Sequence, residues 1–523
     1  RLNNTAYSSG GAIYVREDSS NCKVRNCYFD NNYVTDVRNG QGGAIDWLGD
    51  HGYIYNTTFE NSFAVNGGTL YVGIVSEDMN ITDSRFTGSR AVGEGGSIVL
   101  YGDNVNIIRT NFTYSIGLVR GGAISAYQAH NITVVDCIFD HTVGAGYVDS
   151  SNATYGDGGA IYLKDGSNLN ITNVKFKDVE SHAMGTVTVI NCSNSGIYNS
   201  TFSGMFALAH GGCIAWINST NVTVDTCNFL NSGASYNGGS IFFNNTDAVV
   251  KNSLFNNTST PWGNGGAIYV NGNVTVDNST FDGYSASQDN AGAIYLHAGN
   301  STISNSSFNG KNAIWVAKNA NVTIIEINIT GKNPNDDLKY LVDSYDSETN
   351  PVFYAVWNDG HLYLKGNNFD YVSFNNGTIW SQTYVYMLSN ETYNITWMDE
   401  FTFWAEILDD TQDNHIISVS SLYATNDVYQ EGGGTAYPLK YNRVKVPNAY
   451  YQGAFHLKPN DPNLKKYEYK NGTVNVKMPL NLNVTYEIVG DQVKITAQLS
   501  PESKSNFTLQ DNNIYFKIND KES

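Results

Sequence analysis

At 523 residues the chain is longer than one compact core takes, and two or three structural units are expected. Only 15% of its residues are charged and the formal net charge is −19, which argues against a nucleic-acid backbone or an anionic membrane as partner. No run of about 18 apolar residues occurs, so no transmembrane segment is expected.

The chain opens at Arg1 inside a repeat, and we read it as a piece of something longer. Two landmarks then recur, mostly every 25–28 residues. The first is Gly-Gly followed by a small residue and Ile or Leu, as at Gly10-Gly11, Gly42-Gly43, Gly121-Gly122 and Gly265-Gly266. The second is a Phe some 15–18 residues later, from Phe29 and Phe59 through Phe229, Phe255 and Phe281 to Phe308. Longer spacings coincide with loop-like insertions at 32–41 and 145–157. A fixed period of this size signals a solenoid, and apolar alternation with period two makes its elements strands. The fold expected is all-β: a right-handed parallel β-helix of about twelve or thirteen coils over residues 1–377, a rod of roughly 60 Å.

Each landmark has a mechanical role. The glycine pair turns the chain where a Cβ would strike the coil above or below. Counting the second Gly as position 2, positions 4 and 6 stay apolar, as in Ile45 and Trp47 or Ile268 and Val270, and face inward. Position 5 accepts Asp46, Ser125 and Thr188, so it is expected to face water. The Phe residues should stack as a column. Three residues before most of them stands Asn or Asp, such as Asn56, Asp83 and Asn278, suited to a turn and to hydrogen bonds along the stack; this column is taken as inward. Nearly every one of the six cysteines has a Ser, Thr or Ala counterpart in neighbouring repeats, and they read as small buried residues.

The repeat degrades after residues 312–331, and a polar insertion precedes an apparent last coil at 351–372. From about Thr378 short alternating strands suggest an immunoglobulin-like β-sandwich over 378–480 and the incomplete start of a second over 481–523. The Gly-Gly-Ala-Ile and Asn-Ser-x-Phe coils, the Asn-Val-Thr-Val phrases and "ETYNITWMDEFTFWAEI" resemble the adhesin-like surface proteins of methanogenic archaea. That resemblance implies a β-helix displayed extracellularly, on the cell surface, above immunoglobulin-like domains. Gly-Gly-Ala-Ile also resembles half the repeat of chlamydial polymorphic outer-membrane proteins, whose companion Phe-x-x-Asn survives plainly only at Phe29–Asn32. Neither family supplies catalytic residues.

A polysaccharide hydrolase needs carboxylates converging on one glycosidic bond. Asn245-Thr246-Asp247 resembles one fragment of the polygalacturonase signature, but its partners are missing; Asp336-Asp337 and Asp409-Asp410 lie elsewhere. His51 and His210 stand alone beside turns and read as surface residues. No catalytic residue and no metal ligand set is expected, and no cofactor: acidic turns offer oxygens to Ca²⁺, yet no stretch supplies a complete ligand loop.

Binding has better material. Position 5 carries Tyr14, Tyr71, Tyr162, Phe242, Tyr269, Tyr295 and Trp315, which either stack on sugar rings or simply pack along a pleated face. Among many Asn-x-Ser/Thr sequons, Asn218, Asn221, Asn256, Asn257, Asn390 and Asn471 are candidate glycosylation sites, while those of the inward Asn column should be blocked. The expectation is a non-catalytic adhesin-like protein contacting other cells, surface glycans or envelope components. The alternatives are a purely structural envelope protein and, third, a β-helix lyase or hydrolase.

Overall fold

The computed structural model describes residues 4–146, 156–286, 291–310 and 312–330 without interruption, and from 356 onward the strands with a few residues beside them. The chain divides into two compact units, Arg1–Ser381 with Asp410–Gln412, and Gln382–Asp409 with Asp413–Ser523.

The first unit is a right-handed parallel β-helix of about eleven turns, with no helix among the described residues. A coil contains four short strands, for example Ile45–Trp47, Tyr53–Tyr55, Thr58–Glu60 and Phe63–Ala64. Each pairs in parallel with its counterpart in the next coil, so Ile45 meets Leu70, Phe59 meets Phe86 and Phe63 meets Arg90. Repetition builds two long parallel sheets, of 24 and 20 strands. From Ile241–Lys251 to Ile314–Ile325 the first two strands of each coil fuse into one, and they part again at Val356–Asn358 and His361–Lys365.

The interior obeys the repeat. Positions 4 and 6 are buried, with Ile45, Trp47, Ile268 and Val270 all at 0% exposure. The phenylalanines form one unbroken column from Phe29 to Phe308, neighbouring ring centroids 4.5–5.2 Å apart. The glycine pair divides its labour. The first takes a left-handed φ, +58° at Gly10 and +67° at Gly265. At the second there is no room: a Cβ on Gly43 would stand 2.0 Å from the Gly68 carbonyl oxygen, and one on Gly122 2.0 Å from that of Gly159.

Cys137 and Cys227 stand in a column with Thr57, Ser84, Thr110, Ser200, Ser253 and Ser279, two residues before the Phe. There an Oγ or Sγ accepts a backbone N–H from the preceding coil: Thr57 N to Ser84 Oγ at 3.2 Å, Thr110 N to Cys137 Sγ at 3.4 Å. Burial pushes the thiols of Cys137 and Cys227 up to about 12 and that of Cys192 up to about 11, so they stay protonated. Cys27 departs from the expected burial and is exposed.

Two expectations are corrected. Beyond the first coil position 5 is partly or wholly covered: Asp46 is 2% exposed, Ser125 and Thr188 are 0%, Tyr162 is 1% and Phe242 is 7%. The segment leading into Gly-Gly folds back across the outer side of the strand. Ser125 Oγ donates to the Arg120 carbonyl at 2.9 Å and Thr188 Oγ1 to that of Met184 at 2.6 Å. Nor is the Asn column inward. Asn26, Asn56, Asn173, Asn199, Asn252, Asn278 and Asn305 are exposed and left-handed, because a sharp corner in the coil points their side chains outward. The bonds along the stack do form outside: Asn56 Nδ2 to Asn26 Oδ1 at 2.9 Å and Asn278 Nδ2 to Asn252 Oδ1 at 2.8 Å.

In the second unit one four-stranded sheet joins Arg443–Val446, Phe401–Asp409, Thr383–Met387 and Tyr467–Tyr469. Another joins Thr392–Thr396, Asn471–Lys477, Gly453–Pro459 and Leu422–Asn426. Leu480–Val489 and Gln492–Pro501 form a hairpin.

Candidate functional site: a groove along the bend of the β-helix

Between the Phe strand and the short strand after it, every coil turns on one left-handed residue two positions past the Phe. Over the first six coils these are Asn31, Asn61, Gly88, Tyr114, His141 and Asp178, with φ between +49° and +65°. Two residues further on, in register from coil to coil, come Tyr33, Phe63, Arg90, Ile116, Val143 and Glu180. Together with Ser62 these two columns line a groove of about 740 Å³. Six coils at one strand spacing each make it roughly 24 Å long.

Its walls mix aromatic faces with hydrogen-bonding groups. Tyr33 is 37% exposed and lies 6.4 Å from the Phe63 ring; Tyr114 is 55% exposed and lies 5.1 Å from His141. Asn and Gly accept a left-handed backbone readily, whereas a bulky aromatic there costs roughly 1–2 kcal/mol. Of the eleven residues two past the column's phenylalanines, only Tyr114 and His141 are not Asn, Asp or Gly. The strain at Tyr114 goes with only partial burial, since the ring stands in the groove at 55% exposure.

At one end Asp140, His141 and Asp178 bring their ligand atoms within 4.8 Å of one another. Lys177 Nζ already stands 3.7 Å from Asp140 and 3.6 Å from Asp178 and supplies positive charge to both.

The position-5 aromatics fare differently. Tyr14 is exposed at 52%, Tyr71, Tyr269, Tyr295 and Trp315 are half-buried, and Tyr162 and Phe242 are buried. Phe242, Tyr269, Tyr295, Trp315 and Trp357 form one stacked row, centroids 5.0–6.1 Å apart, with His210 stacked 4.6 Å from Phe242. Burial lowers the His210 pKa. His51 is exposed, 3.3 Å from Asp78.

Arg120 lies over the Tyr162 ring at 5.2 Å and holds Glu94 at 3.3 Å and Asp157 at 3.7 Å. Burial raises both Asp46 and Asp157 to about 6. Asp46 belongs to the second coil and Tyr162, beside Asp157, to the sixth. Four strand spacings, roughly 19 Å, separate those layers, against about 5–9.5 Å for a glycosidase pair.

Of the glycosylation candidates, Asn218, Asn221 and Asn257 are exposed and left-handed, and Asn256 is half-buried in Leu254–Thr260. The Nδ2 of each exposed one donates to an amide of the preceding coil, Asn221 to Asn194 at 2.7 Å and Asn257 to Asn231 at 2.8 Å. A glycan would replace one hydrogen of that donor. Asn390 lies outside the described residues, and Asn471 opens the strand Asn471–Lys477. Asn245 and Asp247 belong to structural ladders, bonded to Asn218 at 3.0 Å and Asn273 at 2.8 Å.

Residues 148–308 match the model of the right-handed beta helix region, and residues 2–16 match the Chlamydia polymorphic membrane protein repeat. No curated protein sequence matches the chain. Among solved structures, PfbA, a surface adhesin of Streptococcus pneumoniae, is 10% identical over 64% of this chain and 85% of its own, with a TM-score of 0.37. A double mutant of the tailspike of E. coli bacteriophage HK620 is 13% identical over 75% and 84%, TM-score 0.37. The periplasmic alginate epimerase AlgG is 12% identical over 59% and 76%, TM-score 0.23.

Proposed function

We propose that the chain is a cell-surface adhesin-like protein without a catalytic site, and that the bend groove is where it meets glycans of other cells, matrix or envelope. The β-helix then serves as a rigid display, and the second unit, read as immunoglobulin-like over 378–480 with another such domain from 481, as a stalk. The short match to a polymorphic membrane protein repeat supports a surface location. No cofactor is needed for this reading, and the exposed sequon asparagines are sites where glycans would be carried.

One observation carries the proposal: Tyr114 holds a strained backbone with its ring exposed in a groove also lined by Phe63, Asn31 and Asn61. Strained backbone clusters at binding and active sites. Aromatic faces with a few convergent polar groups suit sugar rings, which present C–H on one side and hydroxyls at the edge.

The test is a glycan array and a cell-attachment assay with the full chain and a Phe63→Ala/Tyr114→Asn variant. The unchanged chain should bind a subset of glycans, and the variant should lose about tenfold or more in affinity. A blank array together with unimpaired attachment of cells lacking the protein would leave the purely architectural reading. Release of reducing or unsaturated ends from polysaccharide would point to the lyase or hydrolase instead.

A further inference from the structure

Among the described residues Arg90 is the only Lys or Arg that lines the groove. Acidic residues outnumber basic ones 49 to 30 in this chain, and several of the rod's cations are paired. Arg16, Arg109, Arg120, Lys164, Lys177 and Lys251 each have a carboxylate within 4.0 Å, Arg109 holding Asp83 through two nitrogens. Arg90 is exposed and, like Lys23, Arg25, Arg38, Arg85, Lys175, Lys318 and Lys365, has no such partner among the described residues, although Glu60 lies one coil back and Glu180 three coils on; unlike those seven it lines the groove. Glu60 is instead held by the Tyr28 hydroxyl at 2.6 Å.

The surroundings are shaped for a guest. Arg90 is flanked in register by Phe63 and Ile116, apolar walls that supply no competing acceptor. The bend of its own coil is Gly88, so the bend column has a gap between Asn61 and Tyr114. The Asn61 Oδ1 leans over it, 2.9 Å from where a Cβ would stand. A planar guanidinium matches a carboxylate with two parallel hydrogen bonds.

We propose that the groove's ligand is an acidic glycan whose carboxylate is bound by Arg90 above Gly88, while Tyr114 and Phe63 take the faces of the adjoining sugars. This rests on the glycan-binding reading of the groove and adds a substrate class to it. Specificity follows from chemistry: a neutral sugar leaves the guanidinium desolvated without an anion.

The experiment measures binding of the full chain to uronate- and sialate-bearing oligosaccharides and to their carboxyl-reduced counterparts, in parallel with Arg90→Gln. Reduction should weaken binding to the unchanged protein roughly tenfold. Arg90→Gln should weaken binding to the acidic forms by a similar factor and show no further loss on reduction. Arg90→Lys, keeping charge without the fork, should fall between. Arg90 is exposed, so an unaltered unfolding midpoint is expected and checks that the variants fold. Equal affinity of the unchanged protein for acidic and reduced forms overturns the proposal while leaving glycan binding intact. A blank response to every glycan removes both.

Discussion

Two outward rows of aromatic residues run along the same rod and do different things. The row from Phe242 to Trp357 projects from the outer side of the first strand, yet it is stacked and half-buried to buried, because backbone approaching the glycine turn covers it. A Cβ on Gly211 would stand only 3.0 Å from that of Phe242, which shows how closely the turn lies over the row. Tyr33, Phe63 and Tyr114 flank a bare corner and stay accessible. In a β-helix, pointing away from the core and facing water are separate properties. The path of the next backbone segment decides between them.

The comparison depends first on the core. Phe229, fully buried between Phe202 at 5.2 Å and Phe255 at 4.6 Å, should cost about 3–5 kcal/mol when changed to Ala, read as a drop in the denaturant midpoint. A loss under about 1 kcal/mol would mean that the column does not carry the rod.

Next comes the covered face. Asp46 is buried and its folded pKa is raised from 3.8 to about 6 by desolvation, with a hydrogen bond from Ser9 acting the other way. A carboxyl raised in the folded state stabilises fully below its unfolded pKa, and that contribution is lost as pH climbs through the folded value. Stability should therefore fall between about pH 4 and pH 7. Asp46→Asn should remove that part of the slope and be more stable at pH 7 by up to about 3 kcal/mol. Asp157 titrates in the same window with the same sign, so the difference between the two proteins, not the total slope, is the measurement. An unchanged slope in Asp46→Asn would place position 5 back in water.

Much of this was readable in the residues, for a physical reason. Side chains that stack inside a solenoid must recur in register, so the Phe, Ile and Gly-Gly landmarks announced the parallel coils, the aromatic column and the glycine contacts. What covers a strand's outer side is a matter of backbone path. No periodicity reports that Ser125 turns back to the Arg120 carbonyl. The Asn column reads as turn-forming, but its side of the coil depends on the left-handed corner. The groove did leave a trace. Two residues past Phe112 and Phe139 the Asn/Gly/Asp habit breaks at Tyr114 and His141, and reading that column downward would have found them. The sequence of the second unit repeats no such landmark, and its strands read only as alternation.

The smallest stability effects separate the two aromatic rows most sharply. Tyr269 is stacked 5.3 Å from Phe242 and 5.6 Å from Tyr295, so Tyr269→Ala should cost about 1–2 kcal/mol through lost packing. Tyr114→Asn should do the reverse. It restores the residue that Asn31 and Asn61 use at the same corner, at a φ of +55°, and should gain roughly 0.5–1 kcal/mol. If glycan binding falls in Tyr114→Asn while the unfolding midpoint rises, the strained tyrosine is kept for contact rather than for the fold. If binding survives there and fails in Tyr269→Ala at unchanged stability, the recognition surface is the covered row and the groove is only a corner of the coil.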